Sequence, residues 1–182
     1  MQQSVKITVC LVVLCLCGCS FSSPPRTETA QLNLLPPAEG PVNSLLKQKI
    51  TMESQSLNQQ FIAVLRLQSD RLKMVALLPT GQQLFFLEYD GKELIQKNTS
   101  SIDIPGKDIL AIMQFALWPP GSIQQHYTRE DGWFVHISPE QRSLLTGSGV
   151  LLKVSYQADV VIIVNQLHDY RLRVQPLENK SL

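Results

Sequence analysis

Gln60-Phe61-Ile62-Ala63-Val64-Leu65-Arg66-Leu67-Gln68 puts Phe61, Ala63, Leu65 and Leu67 at every second position, with Ile62, Val64, Arg66 and Gln68 between them. Successive side chains of a strand point to opposite faces, so this stretch reads as a strand with one apolar face. Segments of similar composition lie on either side, at 49–55, 72–78, 83–89 and 92–97. The links between them, Ser69-Asp70, Pro79-Thr80-Gly81 and Asp90-Gly91, are tight-turn chemistry, so neighbouring strands should pair antiparallel as a meander. Parallel pairing is excluded, because a crossover needs about a dozen residues.

The period changes downstream. Ile109, Leu110, Ile112, Met113, Ala116 and Leu117 fall at helical spacings, which predicts a helix over 105–118 that Pro119-Pro120-Gly121 ends. Strands are expected again at 123–127 and 133–137, joined through Glu130-Asp131-Gly132 with Gly132 left-handed. A loop is read at 138–149 and three final strands at 150–156, 160–165 and 170–174.

Ten or eleven such strands, almost all with one apolar face, must curl or stack to bury it. The expected fold is mainly β (α+β): a strongly curved antiparallel sheet forming an incomplete barrel, with one or two covering helices. Its candidate interior comprises Leu65, Leu67, Leu72, Met74, Phe86, Ile109, Ile112, Met113, Leu152 and Ile162. Such an interior either lines a cavity for acyl chains, which gain about 0.8 kcal/mol per buried methylene, or packs solid. Periodicity does not separate the two. Phe85 and Phe86 are adjacent and must face opposite ways. Trp133 is expected in the core, and Trp118 at a membrane or cavity mouth or packed at the helix end.

The amino-terminal region is of another kind. Lys6 precedes the apolar run from Ile7 to Leu16, shorter than the roughly 20 residues needed to cross a bilayer. Leu16-Cys17-Gly18-Cys19 then resembles a lipobox, with a small residue before a thiol that can take diacylglycerol. Residues 1–18 are thus expected to be a cleaved lipoprotein signal peptide and Cys19 the acylated first residue. Ser20 follows, where aspartate would favour inner-membrane retention, so the expected site is the outer membrane, facing the periplasm. Residues 19–44, rich in proline, read as an extended tether, and 45–182 as a single domain. All four cysteines, Cys10, Cys15, Cys17 and Cys19, lie in or at the end of the signal, so the domain has none for a disulfide.

Sixteen basic residues less Lys6 leave fifteen, against fifteen acidic, without a basic block, so nucleic acid is not an expected partner. The histidines, His126, His136 and His168, lack a third ligand at metal-binding spacing, although a hairpin would set His126 opposite His136. Gly147-Ser148-Gly149 stands before a strand, not in a strand-to-helix elbow, and reads as a turn. Asp90 and Asp131 are likewise explained by the turns they share with Gly91 and Gly132. No cofactor, metal or catalytic group is expected.

Phe61, Leu65 and Leu67, then Asp70-Arg71-Leu72, Val75-Ala76-Leu77, Phe85, Tyr89-Asp90-Gly91 and Leu117-Trp118-Pro119, resemble a family of uncharacterised bacterial lipoproteins over residues 46–174. Members are often encoded among genes for aryl polyene lipids. The family is more distantly similar to LolA and LolB, the periplasmic carrier and outer-membrane receptor of lipoproteins, whose half-barrel is closed by helices. The resemblance implies a monomeric outer-membrane lipoprotein that binds acyl or polyene lipid chains, or lipidated cargo, and assists their transfer. Two alternatives stand beside it: a non-catalytic structural or assembly lipoprotein, and a lipid ester hydrolase using Ser148 and His126.

Overall fold

The computed structural model describes residues 31–41, 43–99 and 104–182. The expected signal peptide, Cys19 and the first part of the tether lie outside these residues. Ten strands pair in one antiparallel sheet: β1 (Ser44–Ser54), β2 (Asn58–Leu67), β3 (Leu72–Leu77), β4 (Gln83–Tyr89), β5 (Leu94–Asn98), β6 (Phe134–Ile137), β7 (Gln141–Thr146), β8 (Gly149–Gln157), β9 (Val160–Asn165) and β10 (Tyr170–Ser181). Helices α1 (Gly106–Leu117) and α2 (Pro120–His126) sit between β5 and β6 in the chain.

The sheet order is β5-β4-β3-β2-β1-β10-β9-β8-β7-β6. Two five-strand meanders are therefore joined where the first strand pairs with the last, and β5 and β6 are edges that do not meet. This is the expected mainly β fold, a curved sheet left open as an incomplete barrel. Register explains its core: Leu65 of β2 lies opposite Leu46 of β1 and Met74 of β3, Met74 opposite Leu87 of β4, and Ile50 of β1 opposite both Phe61 and Val174. All are buried inward-facing positions, and Phe61 meets Phe85 edge-on at 6.3 Å between ring centroids.

Side chains from both meanders reach α1. Gln96 of β5 stands over Gly106, Asn165 of β9 donates to Asp108, and Arg142 of β7 and Tyr156 of β8 donate to the helix carboxyl end. The sheet thus curls around the helix. Residues 109–116 of α1 are buried on every side, and a helix apolar all round must be enclosed all round. The sheet encloses one side. On the other lie residues 32–40, with Leu32 and Leu35 in the core and a 3-10 turn at Pro37–Glu39.

That packing corrects the reading of residues 31–41 as part of an extended tether. They form a strap bonded across α1 and α2. Two further expectations fail locally. Residues 123–127 belong largely to α2 and not to a strand: Pro120 occupies the first turn, where proline's missing N–H costs nothing, and Tyr127 N donates to Ile123 O at 3.0 Å. The expected loop at 138–149 contains β7, whose pairing with β8 shifts register between Leu144 and Leu145. That irregularity breaks the period-two signal. The strand count survives because one strand was expected in excess and one missed.

Candidate functional site

The C-terminal end of α1 faces the second meander with carbonyls that have no partner inside the helix. Arg142 Nη1 donates to Phe115 O at 2.8 Å and Trp118 O at 2.7 Å, while the Tyr156 hydroxyl donates to Ala116 O at 2.7 Å. A cation at the negative end of the helix dipole is favourable as well as hydrogen-bonded. The Arg142 guanidinium also lies over the Tyr156 ring, 5.6 Å from its centroid. Burial raises the Tyr156 hydroxyl above its ordinary pKa, and the neighbouring Arg142 charge opposes that shift.

Tyr156 lines two openings. One is a slot of about 30 Å³ between α1 and strands β1, β8, β9 and β10, lined by Met113, Leu117, Val161 and Val174 among others. Gln48 lines it too and is buried, and its Oε1 has no hydrogen-bond partner. Leu117, Tyr156 and Val161 are only partly buried, so they form the rim. The other is a groove of about 550 Å³ that runs past Pro120, Gln124, Ser138 and Arg142.

The expected interior residues divide. Leu65, Leu67, Leu72, Met74, Ile109, Ile112, Met113 and Leu152 are each 2 % exposed or less and pack together under α1. Of these, only Met113 also lines the slot. Phe86 and Ile162 are a correction: both are half-buried, and their neighbours Phe85 and Ile163 take the inward positions. Trp118 is a second correction as a membrane or cavity-mouth contact, because it is fully buried. Its Nε1 donates to Pro36 O at 3.0 Å and Gly40 lies against its ring. Trp133 is buried as expected, edge-on to Tyr127 at 5.3 Å.

The strap is held at several points. Gln114, wholly buried, accepts from Leu35 N at 2.9 Å and donates to Leu35 O at 2.8 Å, as a neighbouring strand would. The Tyr127 hydroxyl donates to Asn33 O and accepts from Asn33 N, both at 3.1 Å. Glu39 accepts from Ser122 Oγ at 2.6 Å and pairs with His126 Nε2 at 2.9 Å. Burial pushes the Glu39 carboxyl up, but the bonds from Ser122 and His126 and the His126 charge outweigh it and hold the group below its ordinary value. The carboxylate stands between serine and histidine, so both side chains bond to Glu39.

His126 therefore lies in α2 and not across a hairpin from His136, which is an exposed residue of β6. Ser148 is in the two-residue turn between β7 and β8, bonded to Thr146 Oγ1 at 2.7 Å. Ser148 and His126 thus belong to separate elements with separate partners. His168 stands 3.7 Å from Asp108, which also accepts from Tyr170 and Asn165. Burial raises Asp108 above the ordinary carboxylate value against the lowering effect of those three neighbours. Among the described residues no three His, Cys, Asp or Glu side chains group as a metal site.

Neither Gln48 nor Arg142 was legible as a site residue. The one available signal was a polar residue on the inward register of β1, between Leu46 and Ile50.

A family model described as a protein of unknown function, DUF3261, matches residues 45–178. None of the curated proteins matches the chain. Among solved structures, a Vibrio parahaemolyticus domain named for outer membrane lipoprotein sorting is similar at 8 % identity and a TM-score of 0.41, over 78 % of this chain and 86 % of that one.

Proposed function

Since the chain belongs to the DUF3261 family of proteins of unknown function, we propose that it is an outer-membrane lipoprotein, anchored through Cys19 and facing the periplasm. It binds an acyl or polyene chain, of an aryl polyene lipid or of lipidated cargo, and assists the transfer of that chain to the membrane. The observation that carries this reading is the apolar slot between α1 and β1, β8, β9 and β10, lined by Met113, Leu117, Val161 and Val174 among others.

At about 30 Å³ the slot is too small for an acyl chain as it stands. A chain enters only if side chains give way. Met113, with three rotatable bonds and a polarizable sulfur, is suited to that. Each methylene buried contributes about 0.8 kcal/mol, so ten of them offset a substantial cost of opening.

Mass spectrometry of lipid extracted from protein purified from membranes tests the proposal. The expected result is a stoichiometric acyl or polyene species that Val174→Phe, which fills the slot, removes from a still-folded protein. Lipid-free protein, or lipid unaffected by the filling variant, would overturn it. The solid packing of Leu65, Leu72, Met74, Ile109 and Ile112 favours a second reading in that event, a non-catalytic assembly lipoprotein with a filled half-barrel as its scaffold.

A further inference from the structure

Among the described residues that line the slot and the groove, Arg142 alone is charged. The other residues lining the groove, Pro120, Gln124, Ile137, Ser138, Pro139 and Tyr156, are neutral. Its two hydrogen bonds both come from Nη1 and go to backbone carbonyls. Among the described residues, Nε and Nη2 have no partner, and no carboxylate lies within ion-pair distance of the guanidinium. Glu140, two residues away, contributes its backbone carbonyl to Tyr156 N at 2.9 Å, and its side chain is exposed.

A guanidinium presents its donors in a planar fork that fits a carboxylate with two parallel bonds. Arg142 is immobilised by its carbonyl contacts and by the Tyr156 ring, so its free donors are held in place before any ligand arrives. Such preorganisation reduces the ordering cost of binding. Tyr156 also lines the apolar slot. A chain in the slot would therefore bring its end group past Tyr156 and onto Arg142.

We propose that the occupant of the slot is a single chain ending in a carboxylate, and that Arg142 is its counter-ion and selects for it. This rests on the chain-binding reading above and adds the chemistry of the ligand's end. Met113, Leu117, Val161 and Val174, which line the slot, contact the chain; Arg142, in the groove, contacts the head.

The test compares hexadecanoate with hexadecanol, equal in length and differing in end-group charge. Both are titrated in radiolabelled form against the full chain purified from membranes, at pH 8 in low salt. Hexadecanoate is expected to bind at least about tenfold more tightly, and that preference to shrink in high salt as screening weakens the pair. Arg142→Gln should abolish the preference, so that the variant binds hexadecanoate and hexadecanol with equal affinity. Because Arg142 also caps α1, a variant that fails to fold is replaced by Arg142→Lys, which keeps the charge and should retain a reduced preference. Equal binding of the two ligands by the wild-type protein overturns the carboxylate assignment and leaves the slot intact. Binding of neither overturns both.

Discussion

At the residue scale, the side chains that matter most to the strap are those whose roles depend on distant partners. Trp118 was legible as a helix-end aromatic, but its burial is decided by Gly40, some eighty positions earlier. A β-carbon at residue 40 would stand 2.5 Å from Cε2 and Cζ2 of the ring. Gly40→Ala is therefore expected to cost about 1–3 kcal/mol, the usual penalty of overpacking, measured as a shift in denaturant midpoint. Glu39 supplies a pH dependence with a definite sign. Its carboxyl titrates lower in the folded protein than the unperturbed 4.5, so its stabilising bonds are complete above that value and are lost as pH falls through the folded one. Glu39→Gln should loosen the strap at pH 7, seen as faster amide exchange at Asn33 and Leu35. The difference from wild type should vanish as pH falls well below 4.5. A gap that widened with acid would contradict the geometry.

At the element scale, a clear apolar period specifies the buried face and a uniform apolar run does not. The alternation of β2 matches its burial at Phe61, Ala63, Leu65 and Leu67. The helical spacing of 109–117 matches α1. In β9, Val160-Val161-Ile162-Ile163-Val164 is apolar throughout, and a uniform run does not say which parity faces inward. Pairing with β10 settles it, since Ile163 lies opposite the buried Leu172 and Ile162 opposite the exposed Arg173. Ile163→Ala should consequently cost about 2–5 kcal/mol, the range for a buried isoleucine. Ile162→Ala should cost about 1 kcal/mol or less. Equilibrium unfolding of the two variants checks the register directly, because a one-residue slip would exchange the values.

At the scale of the whole molecule, the decisive contact is the ladder between β1 and β10, which pairs Ser44 with Ser181 and Ser54 with Tyr170. It makes one sheet of two meanders, so they should not unfold separately. A single equilibrium transition with coincident fluorescence and circular dichroism is expected. Because that ladder joins chain segments so far apart, refolding should occupy milliseconds to seconds and not microseconds, as stopped-flow fluorescence would show. Local information in the sequence was enough for the class of fold: apolar period, turn residues and the proline stop after α1 each act within a few residues. Tertiary structure alone decided that residues 31–41 cover α1, that Trp118 is interior, that Gln48 lines the apolar slot and that Arg142 lies against Tyr156 in the groove. Those facts depend on surfaces that separate elements bring together, where burial and hydrogen bonding act between residues that no local pattern connects.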